Sequence, residues 1–441
     1  MRRSLAIAGA AAVACAAAGT PLHAQGSGVD QQSACMAGRV GAGVAMPCDD
    51  GSAVYFSPAG LAHTPSVVSA GVALVRAGST FRYDAGMEPG DGTSVIERET
   101  ENVPVPQGFI NFRATDRLAV GIGVLAPYGL GLEWPVCPAE TPRCGEANFE
   151  GRFTGYDNTL RGLYIQPTVA FQVVPERFSI GVGVDYVKGS IEVHRRQFGP
   201  AALGLGNTEI ADVELKGDGN GLTYHIGGIL RLDPRTSLGV RYLGSAEVDI
   251  EGDAAFVQVP TGNAGVDALI GAGLPADQGV GSTIEFPAQL VVGLSYGASS
   301  RLNLLADFQR TYWSSFDAFP VEFEVEDPDT LRLGYSSTNT FRFAADFAAN
   351  DALNLRAGFR YNEAASPRAT PFLPEGERNY YTLGLGYRFT QALSTDFSFQ
   401  YINQPDRAGT VIPGGPRAGI YEATGMVFNF TLAYRFGGRG R

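Results

Sequence analysis

The chain has 441 residues, of which 44% are hydrophobic and 18% charged, and its formal net charge is −12 at pH 7. An acidic balance of this size argues against nucleic acid as a partner, because phosphate binding needs clustered Lys and Arg. The length would suit two or three soluble domains, yet no Pro/Ser linker or charge run divides the sequence.

Residues 1–24 have the pattern of a secretory signal peptide. Arg2 and Arg3 form a basic start, Leu5 to Ala18 an apolar run too short to span a bilayer, and Ala24 a small cleavage residue. A lipoprotein signal at Cys15 would want a Leu-like residue three positions earlier, where Ala12 stands. Removal of the signal leaves Cys35, Cys48, Cys137 and Cys144 in two local pairs. In an exported chain that arrangement favours two disulfides, Cys35–Cys48 and Cys137–Cys144. The spacings do not suit a metal and His63, His194 and His225 are scattered, so neither metal nor other cofactor is expected.

The next feature is Cys48 to Ala62, "CDDGSAVYFSPAGLA", where Asp49 and Asp50 precede Tyr55, Phe56, Ser57 and Pro58. As a membrane strand it would place carboxylates and a proline in lipid, and as a catalytic loop it lacks a base. Beyond it, alternation dominates. "LNLRAGFRY" sets Leu353, Leu355, Ala357, Phe359 and Tyr361 against Asn354, Arg356, Gly358 and Arg360. "YTLGLGYRF", "LSTDFSFQYIN", "TFRFAADF" and the final "MVFNFTLAYRF" repeat the period of two, which is strand geometry.

The connections choose the architecture. Tight links fall at 114–116, 174–177, 233–235, 297–300, 349–351 and 390–391. Long Gly- and Pro-rich loops fall near 84–102, 129–158, 194–211, 252–281, 313–337, 364–378 and 403–423. Strict alternation of short and long connections marks a transmembrane antiparallel β-barrel, here of about 14 strands. Pro167 and Pro287 sit inside apparent strands, which places them at a bulge or near the rim. Pro127 is followed by Gly129 and Gly131 in "APYGLGLEW", a combination that should kink the strand and open its pairing to a neighbour.

At this point the residues resemble a family. "DDGSAVYFSPAGLA" is similar to the amino-terminal signature of the outer-membrane transporters of long-chain fatty acids and aromatic hydrocarbons (FadL type), with Ser57 where Asn is usual. "APYGLGLEW", "YIQPTVAFQVVPERFSIGVGVDYVKG", "STIEFPAQLVVGL", "WSSF" and "LRAGFRYNEAASP" follow in the family's order, across nearly the whole chain. The "GGRGR" after the last aromatic strand departs from it, since such barrels usually end on that aromatic.

The resemblance implies a monomeric barrel over 65–441 in the outer membrane of a Gram-negative bacterium, in contact with lipid and lipopolysaccharide. Residues 25–64 would form a hatch inside it, with Asp49 and Asp50 meeting lumenal Arg, and Tyr55 and Phe56 filling the bore. A fatty acid, aromatic or detergent-like molecule would be caught by the loop at 252–281, where Val266, Leu269, Ile270 and Leu274 share one face of a short helix. It would pass lumenal Arg241, Arg342, Arg356, Arg360 or Arg388, most of which are salt-bridge residues, and leave sideways at Pro127, Tyr128, Gly129 and Gly131. The two disulfides would tie the hatch and brace the loop past the kink.

A general porin for polar solutes is the first alternative, but it gives no reason for about 40 residues before the first strand. A barrel hydrolase would need a nucleophile and a base on the rim, and His194, expected in an external loop, has no companion motif. An adhesin is open to any long-looped barrel. The reading is therefore a channel and not an enzyme.

Overall fold

The structure is a computed structural model that describes residues 28, 31–88, 95–98, 100, 102–136, 149–199, 209–316, 318–332, 334–374, 376–412 and 417–437. The signal peptide expected over 1–24, the start of the expected hatch and the Cys137–Cys144 pair lie outside the described residues.

Hydrogen-bonded segments wind into one antiparallel sheet that closes as a barrel of 14 staves. The first stave is β1 (Val67–Tyr83) and the second is β2 (Val95–Glu97) with β3 (Asn102–Arg113). Next come β4 (Leu118–Glu133), β5 (Asp157–Val174), β6 (Phe178–Phe198) and β7 (Glu209–Arg231). Interrupted staves follow: β8 (Thr236–Leu243) with β9 (Ala246–Gln258), then β10 (Gln278–Phe286) with β11 (Gln289–Gly297). β12 (Leu302–Thr311) continues as β13 (Ala318–Phe323), and β14 (Asp329–Arg332) as β15 (Thr338–Ala348). β16 (Leu353–Asn362), β17 (Arg378–Arg388), β18 (Leu393–Thr410) and β19 (Ala418–Arg435) complete the wall. Closure runs from Val67 opposite Arg435 to Tyr83 opposite Gly419.

Alternation sorts each strand into two solvents. On β19, Met426, Phe428, Phe430, Leu432 and Tyr434 are between 40% and 52% exposed, whereas Val427, Asn429, Thr431 and Ala433 are 1% or less. The apolar set faces outward, the reverse of a water-soluble sandwich, as an outer surface in hydrocarbon demands. The expected tight links all join neighbouring staves. Several expected loops are shorter than their sequence suggests, because strands continue well past the ~9–11 residues a bilayer needs. β6 has 21 residues and β7 has 23, so His194 lies in a strand and not in a loop. Beyond the bilayer the outward face turns charged, with Glu247, Asp249, Glu251 and Asp253 on β9. Water is the solvent there, and strand pairing no longer needs an apolar exterior.

Pro167 causes no bulge; the β5–β6 pairing simply skips from Ile165 to Thr168. Pro287 sits in the break between β10 and β11.

Residues 31–64 fill the bore. Only Met46, Pro47, Asp49 and His63 among them reach solvent to any extent. Ser33 caps the helix Ala34–Gly38 by accepting from Met36 N, and Pro58 opens the short 3-10 helix Pro58–His63. The wall accommodates this backbone with inward glycines. A Cβ on Gly239 would lie 2.4 Å from Val44 O, and one on Gly181 would lie 2.3 Å from the Pro58 carbonyl carbon. Polar contacts fix the rest: Gly43 N and Val44 N donate to Asp307 Oδ2 at 2.8 and 3.1 Å, and Ala34 N to Thr431 Oγ1 at 2.9 Å. Arg39 Nε donates to Asp346 Oδ2 at 2.7 Å, and Arg356 Nε donates to the same oxygen at 3.1 Å. Cys35 and Cys48 form a disulfide across a 13-residue separation. At the far end His63 Nε2 is 3.0 Å from Ser179 Oγ, and burial together with Arg231 holds its pKa below the usual value.

Two outcomes follow from this seating. Asp346→Ala leaves buried Arg39 without its carboxylate, which should cost on the order of 3 kcal/mol. Hydrogen exchange over 34–46 should rise while the barrel keeps its heat-modifiable gel migration; unchanged exchange would show that the pair adds nothing. Reduction of Cys35–Cys48 removes a ring closure of about 2–3 kcal/mol. It should loosen residues 35–48 by the same readout and leave the barrel's heat-modifiable migration intact in reductant.

Candidate functional site

The site centres on β4. Its pairing with β3 covers only Ala119 to Val124, although β4 runs on to Glu133. Pairing with β5 continues, but with an extra residue on β4 between Leu125 and Tyr128, where Ala126 and Pro127 lie. Residues 125–132 are all buried, so above the bulge neither side of the strand faces lipid. The expected kink is therefore present, and the pairing it opens is the one to β3.

The orphaned edges are managed residue by residue. Gln32 Nε2 donates to Ala126 O at 2.7 Å, and Ala126 N donates to Gln32 Oε1 at 3.2 Å, so one side chain replaces a strand neighbour. Gly28 forms an antiparallel bridge with Tyr128. Arg98 Nη2 donates to Ala77 O at 2.8 Å and Nη1 to Gly131 O at 3.4 Å, spanning β1 and β4. On β3, Pro104 and Pro106 lie in the stretch that β4 does not pair. The ladder with β1 is unbroken through both, so their missing donors face the gap. These partners lie far from the kink in sequence, and none of Gln32, Arg98, Pro104 or Pro106 carries a motif that announces it.

Inside the kink, Tyr128 stacks on Phe286 at 5.4 Å and meets Trp313 edge-on at 5.9 Å. A hydrophobic cluster continues from Val54, Tyr55 and Phe56 through Leu125 and Tyr164 to Phe316, Tyr335 and Phe372. A cavity of about 40 Å³ opens beside it, lined by Tyr128, Trp313, Gln289, Gln309, Arg360 and Arg378 among others. It would admit a water or a small group, but an alkyl chain enters only if side chains move.

The three arginines expected to bind substrate separate. Arg360 lines the cavity, donates from Nε to Asn362 Oδ1 at 2.8 Å and lies 4.5 Å over the Tyr380 ring. Arg356 is held by Asp346 and by Asp396, 2.5 Å from Nη1, beneath the N-terminal segment. Arg241 donates to Tyr55 O at 2.9 Å and lies over the Tyr55 ring at 4.3 Å. Arg342 donates to Gln309 Oε1 at 2.7 Å, and Arg388 is exposed at the rim of a second cleft of about 240 Å³.

Asp50 does not reach a wall arginine. It accepts from Ser33 Oγ at 2.5 Å and from Ser52 N at 3.0 Å, because it turns back on its own segment. The buried ion pair runs the other way, from Arg39 of the segment to Asp346 of the wall. Asp49, half in solvent, pairs with Arg435 at 3.2 Å. Tyr55 and Phe56 are buried edge-to-face at 4.9 Å, and Ser57 Oγ donates to Val44 O at 2.7 Å.

The helix expected in the 252–281 loop forms as Ala264–Gly273, capped by Asn263. Val266, Ile270 and Leu274 pack on Ile210 and Ala211 of β7, with Ile270 buried and the other two partly so, which leaves Leu269 outward and 67% exposed.

Among the described residues, Glu192, His194 and Glu214 bring ligand atoms within 4.8 Å of one another on the outer face. Lys216 Nζ stands 3.2 Å from Glu192 and neutralises it, so the group is a salt-bridge network. Asp185 Oδ1, His225 and Thr168 Oγ1 align at 2.6 and 2.9 Å, a carboxylate–imidazole–hydroxyl order, but all three are at most 2% exposed. They tie β5, β6 and β7 together inside the wall.

Relatives place this geometry. The chain is 22% identical over 406 residues to Outer membrane protein P1 of Haemophilus influenzae, covering 83% of each chain. It is 21% identical over 314 residues to the Long-chain fatty acid transport protein of Escherichia coli, covering 65% of this chain and 67% of that one. A Pseudomonas aeruginosa FadL homologue has the same fold, with TM-score 0.81 at 21% identity over 93% of this chain and all of that one. The P. putida toluene transporter TodX gives 0.69 at 17% identity, over 95% and 100%. The sequence model of the outer membrane protein transport protein family (OMPP1/FadL/TodX) matches residues 13–436, and the chain belongs to that family of Gram-negative outer-membrane β-barrels.

Proposed function

We propose that this protein is a passive channel for hydrophobic compounds, long-chain fatty acids or aromatic hydrocarbons, with lateral exit between β3 and β4. The observation that carries the reading is the inward turn of β4 above Val124, which leaves a built gap in the wall beside the buried aromatic cluster of Tyr128, Tyr164, Phe286 and Trp313. A polar-solute porin would have no use for such a gap, because its solutes leave along the axis. The substrate classes are those named for the E. coli and P. putida relatives. Residues 25–64 serve as a hatch and 65–441 as the barrel. The protein acts as a monomer whose wall one chain closes, its outward apolar band in contact with lipid and lipopolysaccharide. Leu269 is the point of first capture on the external helix, and Arg360, which lines the cavity with Arg378, is a cationic group able to meet a carboxylate. No chemical step is assigned to any residue.

Purified protein in liposomes should pass a fatty acid or p-xylene and should not give rapid swelling in small sugars. Fast, unselective sugar flux would overturn the reading in favour of the porin. Deletion of Pro127 combined with Pro104→Val and Pro106→Val removes the extra residue on β4 and restores the β3 donors that face it, which allows the pairing to extend past Val124. Hydrophobic flux should then fall about tenfold in a barrel that still migrates as folded. Flux at the unmodified level would place the exit elsewhere.

A further inference from the structure

The break between β10 and β11 puts one side chain where three parts of the molecule meet. Gln289 opens β11, is 2% exposed and lines the cavity. Its Nε2 donates to the Tyr128 hydroxyl at 2.8 Å, and that hydroxyl donates in turn to Pro287 O at 2.6 Å. Its Oε1 accepts from Arg241 Nη2 and, at 3.3 Å, from the Tyr55 hydroxyl. Arg241 continues to Tyr55 O on the N-terminal segment. One amide thus touches the cavity, the kinked strand and the segment in the bore.

We infer that Gln289 is a positioning residue that couples occupancy of the cavity to the seating of the N-terminal segment, an inference that rests on the transport reading above. The cavity is too small for a ligand as it stands, so an entering group must displace its lining, and Tyr128 and Gln289 form one side of it. Moving the Tyr128 hydroxyl removes the partner of Gln289 Nε2, and a buried amide without a partner reorients to find one. Reorientation withdraws Oε1 from Arg241 and Tyr55 together. Tyr55 then loses its hydroxyl contact to Gln289, and Arg241, which holds the Tyr55 carbonyl, loses its own bond to Gln289, so the balance shifts toward a loosened segment. Gln309 lines the same cavity and accepts from Arg342, whose Nε lies 3.2 Å from where a Gly41 Cβ would stand. The cavity floor therefore meets the segment at a second glutamine–arginine pair.

The test uses full-length protein carrying Trp134→Phe, which leaves Trp313 in the cavity as the sole tryptophan. Oleate and p-xylene are added separately, each to saturation. Trp313 fluorescence reports occupancy, and hydrogen exchange over 41–57 reports the segment. In this background both signals should respond, exchange rising about fivefold. In Gln289→Met, which keeps the volume and loses the amide, fluorescence should still change while the ligand-induced rise in exchange disappears. Tyr128→Phe removes only the hydroxyl and should behave the same way, and it decides the matter if Gln289→Met does not fold. An undiminished rise in the folded variant overturns the coupling. Fluorescence change without any exchange response in the Trp134→Phe protein also overturns it, and leaves the transport reading standing. No fluorescence response to either probe overturns both.

Discussion

Backbone amides in hydrocarbon must find partners within the protein, and this requirement governs every other choice in the molecule. Thirteen of the fourteen seams between staves satisfy it by ordinary strand pairing, as between β1 and β19. The seam between β3 and β4 stops at Val124, and the leftover groups are dealt with chemically. Pro104, Pro106 and Pro127 delete donors outright. Gln32 and Arg98 supply side-chain partners, and the turn of β4 takes its remaining groups out of lipid. A frayed strand would show none of these. The gap is as fully specified as the ladder around it.

The same economy applies to the segment in the bore. Beside the apolar packing of Met36, Val54, Tyr55, Phe56 and Leu61, it is held by close backbone approach and by a shared set of buried charges. Inward glycines let Val44 and Pro58 lie directly on the wall, so the fit is one of shape. Asp307 accepts two successive amides, and Arg39 and Arg356 share Asp346. Such contacts are specific while intact and contribute little once partly broken, because each buried group then lacks a partner. Val40 adds a local cost: a β-branched residue at φ 53° sits where L-residues are rarely found, against Gly358.

Much of this was legible in the sequence, and the limits are instructive. Period-two patterning and the rhythm of short and long connections gave the barrel, since both are dictated by the bilayer. "APYGLGLEW" gave the kink, because proline and glycine act locally. What the pattern could not give were partners across hundreds of residues, such as Gln32 with Ala126 or Arg39 with Asp346. Asp50 and Arg39 illustrate the difference: both are charged residues of the N-terminal segment, and only position relative to Ser33 decides which one reaches the wall. Val266, Ile270 and Leu274 had the right helical spacing for one face, but spacing does not show that the face packs on β7. One signal was present and unused. Glycines at inward positions, as in "FSIGVGVDY", mark where another backbone comes close.

On the transport reading proposed above, passage through so tightly filled a lumen would be a local event. The strands in continuous register around the barrel cannot yield singly, because each is bonded along both edges. Among the described residues, three parts that leave the two-sided ladder lie together: the N-terminal segment, β4 above its bulge, which is bonded only to β5, and the Pro287–Ala288 break. These are not dispersed. Tyr128 belongs to the second and donates to the third, while Gln289, next to the break, reaches Tyr55 and Arg241 at the first. A displacement at any one of them is therefore felt by the other two before it is felt by the wall. Under the proposed function, that arrangement would let a rigid cylinder contain a movable route, with the polar junction at the base of the aromatic cluster where a hydrophobic molecule would arrive.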